Sequence, residues 1–184
     1  MFKRVDANID LPSVESEISA YWDKINAFET SVENRKNDKT FRFYDGPPFP
    51  TGSPHYGNLL AGVIKDIVPR YWTMRGYYVE RRFGWDVHGL PIEMEVQKKL
   101  NLEDPQQIDE YGIGKFNEAC RSQVQTNTEN WEKITRKIGR WVDFENDYKT
   151  MDIEFMERVW WVFKELWSKD LIYQDYKVLP YSWA

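Results

Sequence analysis

The sequence predicts an α/β fold with a parallel βαβ core and surrounding helices. Three observations predict it. First, an aromatic strand signal at Phe41–Tyr44, a loop, a helix-periodic run from Leu59 to Trp72 and a second strand signal at Tyr77–Glu80 follow one another. That order is a βαβ unit, whose crossover is right-handed. Second, Gly46, Gly52, Gly57, Gly62, Gly76, Gly84 and Gly89, seven of the ten glycines, lie between residues 46 and 89, together with both histidines, His55 and His88. Glycine weakens the interior of helices and strands, so the clustering marks places where backbone comes close to something. Third, helical periodicity brackets the unit on both sides.

Taken in order, Leu11 to Phe28 carries Val14, Ile18, Tyr21, Trp22 and Ile25 at helical spacing, an amphipathic helix. The polar run Ser31 to Thr40 is a linker. Between Asp45 and Pro54 stand four prolines and two glycines, which exclude helix and ladder strand and make a stiff, sharply turning loop. The rows Leu60, Ile64, Val68, Trp72 and Leu59, Val63, Ile67, Tyr71 give a well-buried helix, perturbed at Pro69 and ended by Gly76. Phe83 to Pro91 reads as a second loop. Ile92–Leu100, Gly114–Ile138 and Ile153–Trp167 read as helices, and Leu171–Tyr173 and Tyr176–Tyr181 as strand material.

Composition narrows the function. A chain of 184 residues with 41% hydrophobic and 16% aromatic residues can build one real core and is no disordered tail. No apolar run reaches the ~18 residues of a membrane helix, and Met1–Asp6 lacks the apolar stretch of a signal peptide. Cys120 is the only cysteine, which excludes an internal disulfide and suits a reducing, cytoplasmic location. A net charge of −5 argues against a broad RNA-gripping surface. The basic run Lys65, Arg70, Arg75, Arg81 and Arg82 reads as a solvated helix face. Trp160, Trp161 and Trp167 read as core or inter-domain packing, and Cys120 as a small apolar filler.

The loop between the first strand and the helix is where α/β proteins bind phosphate or nucleotide, because the first helical N–H groups are unpaired and the helix dipole favours an anion. His55-Tyr56-Gly57-Asn58 stands there. An imidazole at that point donates to a phosphate oxygen, Gly57 lets a flat base approach the backbone, and Asn58 either donates to ligand or caps the helix. Neither G-x-G-x-x-G nor a Walker A sequence occurs, so the residues alone indicate a nucleotide-binding βα loop of a less common kind.

Tyr44 to Asn58, with Gly46-Pro47-Pro48 and His55-x-Gly57-Asn58, resembles the signature of class I aminoacyl-tRNA synthetases, the HIGH motif H-x-G-H. Gly84-Trp85-Asp86-Val87-His88-Gly89-Leu90-Pro91-Ile92-Glu93 is similar to the G-W-D-x-H-G-L-P-x-E segment of the isoleucyl family, where valyl enzymes carry a block of the type G-x-D-H-A-G. Val159–Phe163 and Lys177–Ser182 resemble the same family.

The resemblance implies the first half of a Rossmann-like catalytic domain over residues 41–184, preceded by a helix and linker over 1–40, and ending near the point where an editing domain is inserted. It implies ATP-dependent activation of isoleucine and transfer to tRNA(Ile), with Mg2+ accompanying ATP. By residue, it implies that His55, Gly57 and Asn58 contact ATP, with His55 and Asn58 stabilising charge as the adenylate forms. It also implies that Asp86 holds the α-ammonium of isoleucine, while Gly46, Pro47, Trp85 and His88 shape the amino-acid pocket. Asn58 replaces the second histidine of the motif and cannot carry its charge. The K-M-S-K-S loop, the second Rossmann half and the editing and anticodon-binding regions have no counterpart in these residues, so the chain is expected to hold part of an active site. His88 reads equally as a structural, hydrogen-bonded histidine, and Asp86 also as a turn residue. The second reading of the whole is a non-catalytic nucleotide-binding or interaction module derived from a synthetase.

Overall fold

The computed structural model describes residues 8–181. The element order is α1 (Leu11–Lys24), α2 (Ala27–Glu33), α3 (Tyr56–Met74), β1 (Arg82–Trp85), α4 (Leu90–Leu100), α5 (Pro105–Tyr111), α6 (Ile113–Lys137), β2 (Asp143–Lys149) and α7 (Ile153–Trp167). The Met1–Asp6 reading and Ser182 lie outside the described residues.

The βαβ unit is present, with its strands reduced. Thr40 and Tyr78 form an isolated parallel bridge, in which the Phe41 N–H donates to Tyr78 O at 2.9 Å and the Tyr78 N–H to Lys39 O at 3.0 Å. Beyond it, Phe41–Tyr44 runs extended without the expected ladder. At its end the Asp45 carbonyl and carboxylate are held by side chains from elsewhere. The second strand falls later than expected. Val79, Arg81, Phe83 and Trp85 are buried while Glu80 and Arg82 are exposed. One continuous extended segment therefore meets Thr40 at its start and β2 at its end, and Phe83–Trp85 belongs to strand rather than loop. β1 and β2 are parallel, with Gly84 opposite Tyr148 and Trp85 opposite Lys149, after a bulge. Asp143 Oδ1 accepts from the Glu145 and Asn146 N–H groups, both at 2.9 Å, and this turn takes up the extra residues.

The core is Phe83, Trp85, Val87, Ile92, Val124, Trp131, Val142 and Phe144. It joins β1 and β2 to α4 and α6. Phe83 stacks on Phe144 with centroids 4.7 Å apart, and the Trp85 indole N–H donates to Asp147 Oδ2 at 2.7 Å. Each such large side chain removed from water contributes about 1.5–3 kcal/mol.

The expected helix at Leu11–Phe28 is two helices. Asn26, at φ 46°, breaks it in the left-handed region, a conformation asparagine tolerates better than most residues. α5 was not anticipated, although Asp104 and Gln107 form a capping box around Pro105, a legible start signal. β2 was not anticipated either, because DFENDYK carries no strand periodicity and its place depends on pairing with β1. Leu171–Tyr173 and Tyr176–Tyr181 are not strands. Tyr176, Val178 and Tyr181 are almost fully exposed and no described segment pairs with them.

α3 is helical through Pro69, as periodicity requires, yet it is not well buried. Only Gly62 and Pro69 are, while Leu60, Ile64, Ile67 and Tyr71 face outward. α7 likewise exposes Trp160, Trp161 and Trp167, so these tryptophans are not core among the described residues. The basic run is not a solvated face. Arg70 ion-pairs with Asp66 and lies 4.0 Å from the Trp141 ring centroid, and Asp66 Oδ1 accepts from the Trp141 N–H at 3.0 Å. Arg82 donates to Asn146 O at 2.6 Å. Arg81 is buried, donates to Thr73 Oγ1 at 2.6 Å, and has its pKa drawn down to about 10 by desolvation. Arg75, between them, is exposed. No helix among the described residues is long and apolar enough to cross a membrane.

Candidate functional site

The proline-rich loop can receive hydrogen bonds but makes few, since its four prolines have no N–H. Donors from four places therefore hold it. Tyr148 Oη donates to Asp45 O at 2.9 Å, Lys65 Nζ to Gly46 O at 2.6 Å, the Asp86 N–H to Pro48 O at 3.0 Å, and Trp131 Nε1 to Gly52 O at 2.8 Å. At its base the Asp45 carboxylate is fully buried between two cations. Arg140 bonds Oδ2, and the Lys65 ammonium sits 2.7 Å from Oδ1. Lys65 lacks hydrogen-bond alignment to Oδ1, so it acts on that oxygen as a charge. Two positive charges against one negative leave net positive potential beneath the loop. A cavity of about 270 Å³ lies there, its lining including Gly46, Pro47, Asn58, Lys65, Phe83 and Arg140.

The loop ends at His55, which is the N-cap of α3. Its backbone is extended (φ −93°, ψ 170°). His55 Nδ1 accepts from the Asn58 N–H at 3.4 Å, and Asn58 Oδ1 accepts from the His55 N–H at 3.0 Å. This reciprocal capping box satisfies the His55 and Asn58 N–H groups and leaves the first N–H groups of α3 to other partners. It also fixes the tautomer. With Nδ1 accepting, a neutral imidazole carries its proton on Nε2, a donor on an exposed side chain at the positive end of a 19-residue helix. Gly57 makes this ring position available, since a Cβ there would lie 3.1 Å from His55 Cε1 and Nδ1, tighter than ordinary packing. Asn58 thus serves as a cap and also lines the cavity.

On the other side of the loop, Asp86 follows β1. The Thr150 hydroxyl donates to Asp86 Oδ1 at 3.4 Å, lies 2.8 Å from His88 Nδ1 and accepts from the Val87 N–H at 3.0 Å. His88 is exposed and Asp86 half-buried. Trp85 differs from its expected place in the floor of a pocket. It is 1% exposed and its ring belongs to the core, because the register of β1 turns it inward.

Gly46, Pro47 and Asn58 therefore share one cavity, His55 and Gly57 form the helix mouth, and Asp86 and His88 meet through Thr150. The 270 Å³ cavity is lined by neither His55 nor Asp86. What joins those two is the loop itself, which runs into His55 and is bonded at Pro48 to Asp86. Asp45, Lys65, Arg140, Tyr148 and Thr150 were missed by sequence reasoning. Asp45 stood next to the Gly-Pro-Pro run and was legible as a loop anchor. The side chains that bond it stand far along the chain, up to 103 positions away, and carried no local signal.

A βαβ crossover with a proline-stiffened loop delivering a histidine to a helix mouth defines the class as a Rossmann-like α/β domain. Residues 17–184 match the family described as class I tRNA synthetases (I, L, M and V), and the chain belongs to that family. Its relatives include the cytoplasmic isoleucine–tRNA ligase of Arabidopsis thaliana, 54% identical over 171 residues, or 93% of this chain and 14% of the relative. The isoleucine–tRNA ligase of Mycobacterium tuberculosis H37Rv is 54% identical over 174 residues, 95% of this chain and 17% of the relative. That of Treponema denticola is 51% identical over 181 residues, 98% and 16%. The chain thus spans about one sixth of the length of these relatives. Among solved structures, the Agrobacterium radiobacter K84 agnB2 LeuRS, in a ternary complex with tRNA and LeuAMS, matches with a TM-score of 0.59 and 22% identity. The match covers 91% of this chain and 19% of that one, and it supports the fold.

Proposed function

We propose that this chain supplies part of the active site of an isoleucine-activating enzyme. The observation that carries the reading is 51–54% identity to isoleucine–tRNA ligases across nearly the whole chain, extending over the loop, helix mouth and Asp86 together. In the reaction a carboxylate oxygen of isoleucine attacks the α-phosphorus of ATP. The bond to the leaving pyrophosphate breaks, and the aminoacyl group later passes to tRNA(Ile). No covalent enzyme intermediate is needed, so positioning and charge stabilisation carry the chemistry.

His55 Nε2–H and the open N–H groups of α3 hold phosphate oxygens, and Gly57 admits the nucleotide against the backbone. Asp86 holds the α-ammonium, with Gly46 and Pro47 forming the adjoining wall and His88 bordering it. Mg2+ enters with ATP, held by its phosphates. Residues 1–40 act as an N-terminal helical arm and linker, 41–184 as the first half of the catalytic domain. tRNA contacts fall mainly on other regions of the enzyme, and the location is cytoplasmic.

The second reading, a non-catalytic nucleotide-binding or interaction module, is favoured by one observation, the use of the Asn58 side chain as a helix cap. Isoleucine-dependent exchange of pyrophosphate into ATP separates the two. The intact enzyme carrying this chain is expected to exchange with isoleucine and the 184-residue chain by itself to show little or none. Exchange driven by leucine or valine in preference to isoleucine overturns the substrate, and no exchange by the intact enzyme overturns the reaction.

A further inference from the structure

The Thr150 hydroxyl has one proton to give and two lone pairs to fill, and three partners surround it. The Val87 N–H, at 3.0 Å, can only donate to it. The Asp86 carboxylate oxygen, at 3.4 Å, can only accept from it. With the hydroxyl proton given to Asp86, the third partner, His88 Nδ1 at 2.8 Å, meets the remaining lone pair and donates. Thr150 is 6% exposed, and its own N–H donates to Trp85 O at 2.9 Å, so the hydroxyl is fixed by the end of the β1–β2 pairing.

We infer that Thr150 is a positioning residue for the amino-acid site, orienting the Asp86 carboxylate and setting His88 in its Nδ1–H tautomer. The inference rests on the reading of Asp86 as the ammonium-binding group and adds the residue that holds it. With Oδ1 engaged by Thr150, the carboxylate cannot swing freely, and Oδ2 is left for an ammonium. His88, donating through Nδ1, turns an accepting Nε2 outward. The two histidines of the chain are thereby held in opposite tautomers, His55 with a donor outward and His88 with an acceptor. Thr150 stands 64 positions after Asp86 and 62 after His88, and it reaches both only because β2 lies beside β1.

Two measurements test it. In the 15N-labelled chain, long-range proton–nitrogen spectra assign the tautomer of neutral His88. The Nδ1–H form is expected, persisting in Thr150→Ser and giving way to the Nε2–H form in Thr150→Val. An Nε2–H tautomer in the unmodified chain overturns the inference without any variant having to fold. In the intact enzyme, Thr150→Val is expected to raise KM for isoleucine about tenfold, the order lost with a hydrogen bond to a charged group. KM for ATP stays unchanged and Thr150→Ser restores the value. An unaltered isoleucine KM in Thr150→Val overturns the positioning role while leaving the activation reading intact. An Nδ1–H tautomer without isoleucine-dependent exchange overturns the activation reading alone.

Discussion

Asp45 sits at the root of the loop with both carboxylate oxygens facing cations and no exposure of its side chain. Taking one charge out of such a set leaves others buried without a partner. Asp45→Asn is therefore expected to destabilise the chain by about 3–5 kcal/mol, read from urea unfolding midpoints. A loss below about 1 kcal/mol, the scale of a solvent-exposed pair, would mean that Lys65 and Arg140 find other partners. Tyr148 holds the same stretch from the opposite side, by its hydroxyl bond to Asp45 O. Burial first, and then the neighbouring Tyr44 and Asp45, hold its pKa above the ordinary value of 10.0. The folded chain keeps this proton after the unfolded chain has lost it. The group's contribution to stability is thus complete below about pH 10 and falls away as pH rises further. Relative to the unmodified chain, Tyr148→Phe should gain stability steadily above about pH 10 in an alkaline unfolding series. A constant difference across that range contradicts the assignment. Comparing the two proteins cancels Arg81, whose lowered pKa is common to both.

Among the elements, two glycines separate what a helix needs from what a strand pair needs. Gly62 lies mid-helix in α3, and a Cβ there would meet only Ile138 Cδ1, at 3.5 Å, an ordinary contact. Gly62→Ala should stabilise by about 0.5–1 kcal/mol, since glycine costs a helix interior that much. Gly84 lies in β1 opposite Tyr148, and a Cβ there would lie 2.2 Å from Tyr148 Cζ. Gly84→Ala should destabilise by about 1–3 kcal/mol, because the Tyr148 ring cannot leave without surrendering its bond to Asp45. Thermal unfolding of both variants checks the pair of opposite signs. Helices were legible from sequence where their pattern was long. α3, α4, α6 and α7 fall within a few residues of the periodic runs that announced them. Strands were not, because β2 carries no alternation of its own and the extended segment before β1 is defined by which residues face the core.

Over the whole molecule, the apolar pattern and the apolar core do not coincide. Eight residues form the core cluster, while Leu60, Ile64 and Tyr71 on α3 and Trp160, Phe163 and Trp167 on α7 remain exposed. Exposed apolar surface on that scale makes a chain self-associate. The 184-residue chain is expected to bind a hydrophobic dye and to grow in mass with concentration by light scattering. A Trp160→Lys, Phe163→Glu double substitution should reduce both. Retention of full dye binding in that variant would show that α7 is covered.

The candidate site shows the same division. His55, Gly57, Asn58, Gly46 and Pro47 were legible because they stand in one continuous segment whose glycines, prolines and histidine have few other uses together. The order of the βαβ unit and the positions of the long helices also came from the chain alone, since periodicity and turn chemistry act between near neighbours. Tertiary structure decided the rest: that Trp85 turns inward, that the basic run is bonded rather than solvated, that Asp45 is clamped and that Thr150 joins Asp86 to His88. The clamp on Asp45 and the Thr150 link depend on contacts between residues 19 to 103 positions apart, and the energy of such contacts exists only once the chain has brought them together.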